Sequence, residues 1–162
     1  MLRLSKSVDY ALMALVHLSR LPQDESASAR ELARHYAIPY DLLAKILQRL
    51  AQSQLVASSQ GTRGGYRLAR AAEAISAAEV IEAIDGSLSL VQCFTDTGSC
   101  DQFDHCNIKS PIQSLNDQVL QLLTSVSLAE MRDRESHPAH NASGDEADNS
   151  VREGEIRLPV VS

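Results

Sequence analysis

The sequence predicts a mainly α-helical protein, and three observations support this fold class. Apolar residues recur at helical spacing along most of the chain. Aromatic residues make up 4% and Trp is absent, so the core must consist of aliphatic side chains. Only seven of the 162 residues are glycine. Because 44% of the residues are hydrophobic and 22% are charged, the chain can bury a substantial core, which excludes wholesale disorder.

The first helix is predicted from Ser5 to about Arg20, and Pro22 stops it. One broad apolar face spaced at helical intervals supports this prediction. The members of this face are Val8, Ala11, Leu12, Leu15, Val16 and Leu18.

Two further helices follow, joined by a tight turn. Ser28 and Glu31 have the spacing of a capping box, which opens a short helix that ends near Tyr36. Pro39 suits the first position of the next helix, where its missing N–H costs nothing. We expect this helix to run to about Gln52. Its buried stripe consists of Leu43, Ile46, Leu47 and Leu50.

A β-hairpin is predicted after the third helix. Residues 55–59 form a short β-run, residues 60–65 are a glycine-rich turn, and residues 66–69 can return as a second strand. Three short helices followed by a hairpin are the order of a winged helix-turn-helix. The glycines do not form a phosphate-binding P-loop, because no GK[ST] follows them.

The second half of the chain is predicted to contain two capped helices and one long one. Capping boxes at Ser76 and Ser127 open helices, and Gly86 ends the first of these. A long amphipathic helix begins near Ser110. We divide the chain into a winged helix-turn-helix (1–72), a cysteine loop with dimerisation helices (73–131) and a disordered tail (132–162) rich in Asp, Glu, Ser and Asn. The long helix carries an apolar stripe of Ile112, Leu115, Val119, Leu122 and Leu123.

Charge is distributed unevenly along the chain. Residues 1–70 contain ten Lys and Arg against five Asp and Glu, whereas residues 71–162 contain five against sixteen. The basic half indicates a polyanionic partner.

The second helix of a helix-turn-helix enters the major groove of DNA, and a hairpin tip can reach the minor groove. An ordinary solvated helix face is the alternative for the third helix, but the adjacent hairpin favours binding to double-stranded DNA. The candidate DNA-binding residues are Tyr40, Asp41, Lys45, Gln48, Arg49 and, at the hairpin tip, Arg63. Arg67 and Arg70 are further candidates for phosphate contacts.

Three clustered cysteines indicate a metal or redox site. Cys93, Cys100 and Cys106 are too widely spaced for the paired motif of a structural zinc site. An odd number of cysteines also argues against a disulfide framework. Soft thiolates spread along a loop fit an iron–sulfur cluster better, and three free thiols are the alternative.

Several segments together resemble the Rrf-type (IscR/NsrR-like) winged-helix regulators that sense iron–sulfur clusters. They are MLRLSKSVDYALMAL, IPYDLLAKILQRLAQSQLV, GTRGGYRLAR, ISAAEVIEAIDG, the three cysteines and VSLAEM. The resemblance covers about residues 1–131 in order, and its two ends look closest to the branch that regulates SUF cluster assembly.

This resemblance implies a homodimer built on the helix near 111–125 that grips a near-palindromic operator. It also implies a [4Fe–4S] or [2Fe–2S] cluster held by the three cysteines. The IscR type takes its fourth ligand, a His, from the position that Lys109 occupies here. The NsrR type uses an Asp in the first helix of the partner subunit, and Asp9 matches that position. The alternative for Asp9 is a first-turn carboxylate that interacts favourably with the helix dipole.

The sequence therefore predicts a cytoplasmic transcriptional repressor that senses cluster status, nitric oxide or redox state. A winged-helix regulator without a cluster, responding to thiol oxidation, is the alternative, and an adaptor using the same fold is a further one. We expect no enzyme activity, because His17 and His35 look like isolated helix residues and no catalytic constellation stands out. No apolar run reaches the roughly 18 residues of a membrane span, and no signal peptide is recognisable.

Overall fold

A computed structural model describes residues 4–22, 24–59, 64–89, 101 and 104–135. Six α-helices and two strands lie in these ranges. The helices are α1 (Lys6–Ser19), α2 (Ala29–His35), α3 (Tyr40–Gln52), α4 (Ala77–Asp85), α5 (Lys109–Ser125) and α6 (Leu128–Glu135), and the strands are β1 (Val56–Ser59) and β2 (Gly65–Leu68). A 3-10 turn, Ala72–Ala74, leads into α4. The prediction of a mainly α-helical winged helix-turn-helix is confirmed.

Helix α1 lies at the centre of the fold. It packs against α3, α4 and α6 and also contacts β2. Small and aliphatic side chains permit this close packing, since Ala11, Ala14 and Leu15 are completely buried. Ile81 of α4 and Leu128 of α6 join the same aliphatic core. The core therefore extends from the helix-turn-helix into the second half of the chain.

All three predicted capping boxes are present. The Ser28 and Ser76 hydroxyls accept hydrogen bonds from the N–H groups of Glu31 and Glu79, and both glutamates bond back to the serine N–H. At the start of α6, Ser127 N–H donates to the Glu130 carboxylate at 3.0 Å. A short bridge between Ser76 and Ser127 joins the starts of α4 and α6, which ties the last helix to α4.

The structure corrects two boundaries. Pro39 precedes α3 as its N-cap with an extended ψ of 127°, and Tyr40 is the first helical residue. The last helix continues to Glu135, so residues 132–135 are helical although we predicted a disordered tail from 132. Residues 136–162 lie outside the described residues.

The turns that follow α2 and α3 share one geometry. Ala37 and Gln54 adopt positive φ values of 52° and 57°. Each is followed by a hydrogen bond back into the helix, from Ile38 N–H to Ala33 O at 2.9 Å and from Leu55 N–H to Leu50 O at 2.9 Å. These left-handed residues end each helix sharply. The turn at Ala37 allows α3 to begin within a few residues and to pack against α2.

Strands β1 and β2 pair antiparallel, with Val56 opposite Leu68 and Ser59 opposite Gly65. The structure adds a contact that the sequence did not indicate. Ala27, just before α2, bridges to Tyr66 through two hydrogen bonds of 3.0 and 2.8 Å. Strand β2 is therefore fixed to the segment just before α2.

Helix α5 packs against α4 and leaves much of its apolar stripe uncovered. Leu115 and Leu122 are 49% and 63% exposed. Leu123, which we placed in the same stripe, instead packs against the aliphatic core. In the described residues, no helix is both long and apolar enough to cross a bilayer.

Candidate nucleic-acid interface and cysteine segment

Helix α3 presents a polar face outside the core. The four residues of its predicted stripe are buried, so the opposite face is left to solvent. Tyr40, Asp41, Lys45 and Gln48 are all exposed there. The sharp turn at Ala37 places α2 directly behind α3, which is the arrangement of a helix-turn-helix.

An open cleft of about 470 Å³ lies beside this face, between α3, the start of α2 and the hairpin. Gly65 forms its inner wall, and a Cβ at this position would lie 2.8 Å from the Ala27 backbone. Only glycine permits that approach. The cleft is lined by Ser28, Ala29, Arg30, Tyr40, Ala44, Gln48, Ser58, Ser59, Gly64, Gly65 and Tyr66.

Arg30 is the charged residue of this cleft, and sequence reasoning missed it. Its guanidinium carbon lies 6.0 Å from the centroid of the Tyr40 ring, within the range of a cation–π contact. The signal that could have identified it is its position in the first turn of the helix that precedes the recognition helix.

Three arginines that we predicted as DNA contacts lie outside this cleft. Arg49 lies on the flank of α3 that faces α4 and donates to the Ile84 carbonyl at 2.8 Å. Arg70 donates to the Glu79 carboxylate at 2.8 Å and to the Ala74 carbonyl at 3.1 Å. Arg67 is exposed and borders a different cleft, between the end of α1 and α6. Arg63, at the hairpin tip, lies outside the described residues.

Only part of the candidate cluster site lies in the described residues. Cys106 is half-buried just before α5, whereas Cys93 and Cys100 lie outside the described residues. Asp9 is exposed in the first turn of α1. In the described ranges, no group of three or more His, Cys, Asp or Glu could hold a metal ion. The candidate donor set, three thiolates and a carboxylate, has the chemistry that iron–sulfur clusters accept.

The N-terminus of α1, where Asp9 lies, is tied to the end of α4. The Ser5 hydroxyl donates to Asp85 Oδ1 at 2.7 Å, and Ser5 N–H donates to Asp85 Oδ2 at 3.3 Å. Because α1 also packs against α3, the segment that carries Asp9 belongs to the same packed unit as α3.

The prediction that His17 and His35 are isolated is wrong, because they form an aromatic cluster with Tyr36. The two histidine rings lie 5.2 Å apart, and His35 lies 4.6 Å from the Tyr36 ring. His17 Nδ1 and the Tyr36 hydroxyl are 3.1 Å apart. Burial lowers the pKa of His17, with smaller contributions from His35 and Arg20.

Comparisons with known proteins agree with this architecture. The family model "Rrf2: Iron-dependent Transcriptional regulator" matches residues 4–134. The HTH-type transcriptional regulator NsrR of Halalkalibacterium halodurans is 30% identical over 131 residues, which cover 80% of this chain and 90% of that protein.

Two solved structures share the fold. IscR of T. potens has a TM-score of 0.63 and 25% identity, over 88% of this chain and 94% of that one. CymR, the global cysteine regulator of B. subtilis, has a TM-score of 0.67 and 24% identity, over 83% of this chain and 98% of that one. The match of the family model over most of the length shows that this chain belongs to the Rrf2 family of transcriptional regulators.

Proposed function

We propose that this Rrf2-family regulator is a repressor that binds double-stranded DNA through α3 and the hairpin. The observation that carries this proposal is the exposed polar face of α3 beside an open cleft whose other walls are α2 and the hairpin. Tyr40, Asp41, Lys45 and Gln48 face the major groove, and Arg63 enters the minor groove. Arg49 is a peripheral member, because the Ile84 carbonyl already holds its guanidinium.

Two copies would bind one operator, with α5 as the dimer helix. Its exposed leucines, Leu115 and Leu122, have no cover among the described residues. A symmetric pair would bury them and place two heads on half-sites about one helical turn apart. In this arrangement the head, residues 1–72, binds DNA, and residues 73–131 carry the three cysteines and the dimer helix.

We propose that Cys93, Cys100 and Cys106 hold an iron–sulfur cluster, completed by Asp9 of the other copy. Such a cluster supplies iron that reacts with oxidants or nitric oxide. A carboxylate is a harder and weaker ligand for iron than a thiolate, so Asp9 would be the ligand most readily lost. Release of Asp9 would free the start of α1, which packs against α3, and would alter the position of the head on DNA.

A regulator that responds to thiol oxidation without a cluster is the second candidate. Lys109 stands where the IscR type has its His ligand, and the neighbouring Cys106 is a half-buried free thiol. In either case we propose a cytoplasmic regulator with no catalytic activity.

Anaerobic purification, with analysis of iron and sulfide, tests the cluster. Cys100→Ala should abolish the cluster, because a thiolate ligand is lost. Asp9→Ala should leave a cluster with an altered spectrum and greater lability, with DNA affinity shifted toward that of the cluster-free protein. Glu82→Ala, which removes an exposed carboxylate from α4, is the matched control. A colourless protein without iron would favour the thiol-based candidate.

DNA binding is tested with duplexes selected from a random pool by the unmutated protein. Arg63→Ala should weaken binding by about 1–3 kcal/mol if Arg63 reads a base, or lower the salt slope by about one if it contacts a phosphate. Unchanged binding across a salt series would remove Arg63 from the interface.

A further inference from the structure

Arg30 differs from Arg49 and Arg70 in what meets its charge. Arg49 and Arg70 donate to a carbonyl or a carboxylate within the protein. Arg30 is exposed and has the face of the Tyr40 ring as its neighbour. A ring face attracts the cation but leaves the guanidinium N–H groups available.

The carboxylate next to Arg30 in the sequence is engaged in a capping box. Glu31 follows Arg30, but its Oε2 accepts a 2.7 Å hydrogen bond from Ser28 N–H in the capping box. The hydrogen bonds from Ser28, and to a smaller extent the charge of Arg34, lower the pKa of Glu31. Glu31 is therefore engaged at the helix start, and the donors of Arg30 remain free for a ligand.

The position of Arg30 relative to α3 and the hairpin is fixed by packing. Ala27, three residues earlier, is held to Tyr66 of β2 by two backbone hydrogen bonds. Gly65 lies so close to Ala27 that no side chain fits between them. Arg30 therefore has a defined place at the rim of the cleft beside α3.

We propose that Arg30 binds a phosphate of the DNA backbone and that Tyr40 is a positioning residue that orients its guanidinium. This inference rests on the proposed DNA binding and adds a contact outside α3. In a helix-turn-helix, the first helix crosses the backbone while the second enters the major groove. The planar guanidinium can bind a phosphate through two parallel hydrogen bonds, and Ser58 supplies a hydroxyl to the same cleft.

A phosphate contact makes a specific prediction, because it carries no sequence information. Arg30→Ala should weaken binding about tenfold, by equal factors on a selected duplex and on a scrambled duplex of the same length. The slope of log K against log salt, measured between about 50 and 200 mM, should fall by about 0.9 per bound copy. Arg30→Lys keeps the charge and should retain the slope but lose part of the affinity.

Arg132→Gln, on α6, is the matched control, since it removes one positive charge from an arginine that Asp133 already engages. It should leave the salt slope near that of the parent. Arg30 and Tyr40 are both exposed, so substitutions at these two positions should not prevent folding. Circular dichroism would check this.

A double-mutant cycle tests the role of Tyr40. If Tyr40 orients Arg30, Tyr40→Leu should weaken binding less in the Arg30→Ala background than in the parent. Tyr40→Phe keeps the ring face beside Arg30 and should retain more of the affinity than Tyr40→Leu does. Additive effects of Arg30→Ala and Tyr40→Leu would overturn the positioning role.

The outcomes separate this inference from the proposed function. If the unmutated protein selects no duplex, the proposed DNA binding fails. If the parent binds DNA but Arg30→Ala retains its affinity and salt slope, only the assignment of Arg30 is wrong. Loss of affinity confined to the selected duplex would indicate a base contact and would likewise overturn the phosphate assignment.

Discussion

His17 shows how one side chain can make the stability of this protein depend on pH. It lies half-buried on α1, with Tyr36 as a hydrogen-bond partner and His35 beside it. Burial, and then the charges of His35 and Arg20, lower its pKa below 6.5. The folded state therefore binds a proton at His17 less readily than the unfolded state does.

The consequence is a loss of stability as pH falls. Well above pH 6.5, His17 is neutral in both states and does not affect the free energy of unfolding. As pH falls below this value, the unfolded state takes up the proton first, so the free energy of unfolding should decrease until the folded state is protonated as well. Urea denaturation between about pH 5 and 8 measures this.

Two variants distinguish His17 from other titrating groups. His17→Gln should flatten the pH dependence in this interval, whereas His105→Gln, which changes an exposed residue before α5, should not. An equal slope in His17→Gln and the parent would assign the pH dependence to other groups.

At the scale of the elements, local signals in the sequence were sufficient to predict the helices. The contacts between residues far apart in the sequence could not be predicted. The serine–glutamate spacing of each capping box predicted where α2, α4 and α6 begin, because the hydrogen bonds span three residues. The period of the apolar residues likewise predicted the buried stripe of α3. By contrast, the Ala27–Tyr66 bridge and the Arg49–Ile84 hydrogen bond join residues 39 and 35 positions apart. No periodicity encodes such pairs.

The candidate site divides in the same way. The exposed face of α3 followed from its buried stripe, and Tyr40 and Gln48 do line the cleft. Arg30 escaped prediction because its importance arises only when α2, α3 and the hairpin meet. The grouping of His17 with His35 was missed for the same reason, since it requires the last turns of α1 and α2 to lie side by side.

The end of α3 offers a test of helix termination. Gln54 has a φ of 57°, a left-handed conformation that disfavours residues with a Cβ. Gln54→Gly should therefore stabilise the protein, by about 0.5–1 kcal/mol. Gln52→Gly, two residues earlier at the exposed end of the helix itself, should destabilise it by a similar amount. Chemical denaturation compares the two, and destabilisation by Gln54→Gly would contradict the left-handed turn.

At the scale of the whole molecule, the apolar face of α5 is the feature that the head does not explain. The buried residue of this helix is Asn116, while Leu115 and Leu122 remain largely exposed on the outer side. Leu123 packs back onto the head, so the helix contributes one side to the core and turns the other outward. Contiguous exposed apolar surface on a helix is typical of an interface between subunits.

We predict that this outer face holds a dimer and that Leu122→Asp breaks it. Leu122 is 63% exposed in the single chain, so the aspartate should be tolerated by the fold of one subunit. In a dimer, the same carboxylate would be buried without a partner, which costs several kcal/mol. Sedimentation velocity at micromolar concentration should show a dimer for the parent and a folded monomer for the variant. Gln121→Asp is the control, because it adds the same charge at the preceding residue. That residue is also exposed but lies about 100° around the helix, so this variant should remain dimeric. A parent protein that sediments as a monomer, or a Leu122→Asp variant that remains a dimer, would show that the subunits do not associate through this face.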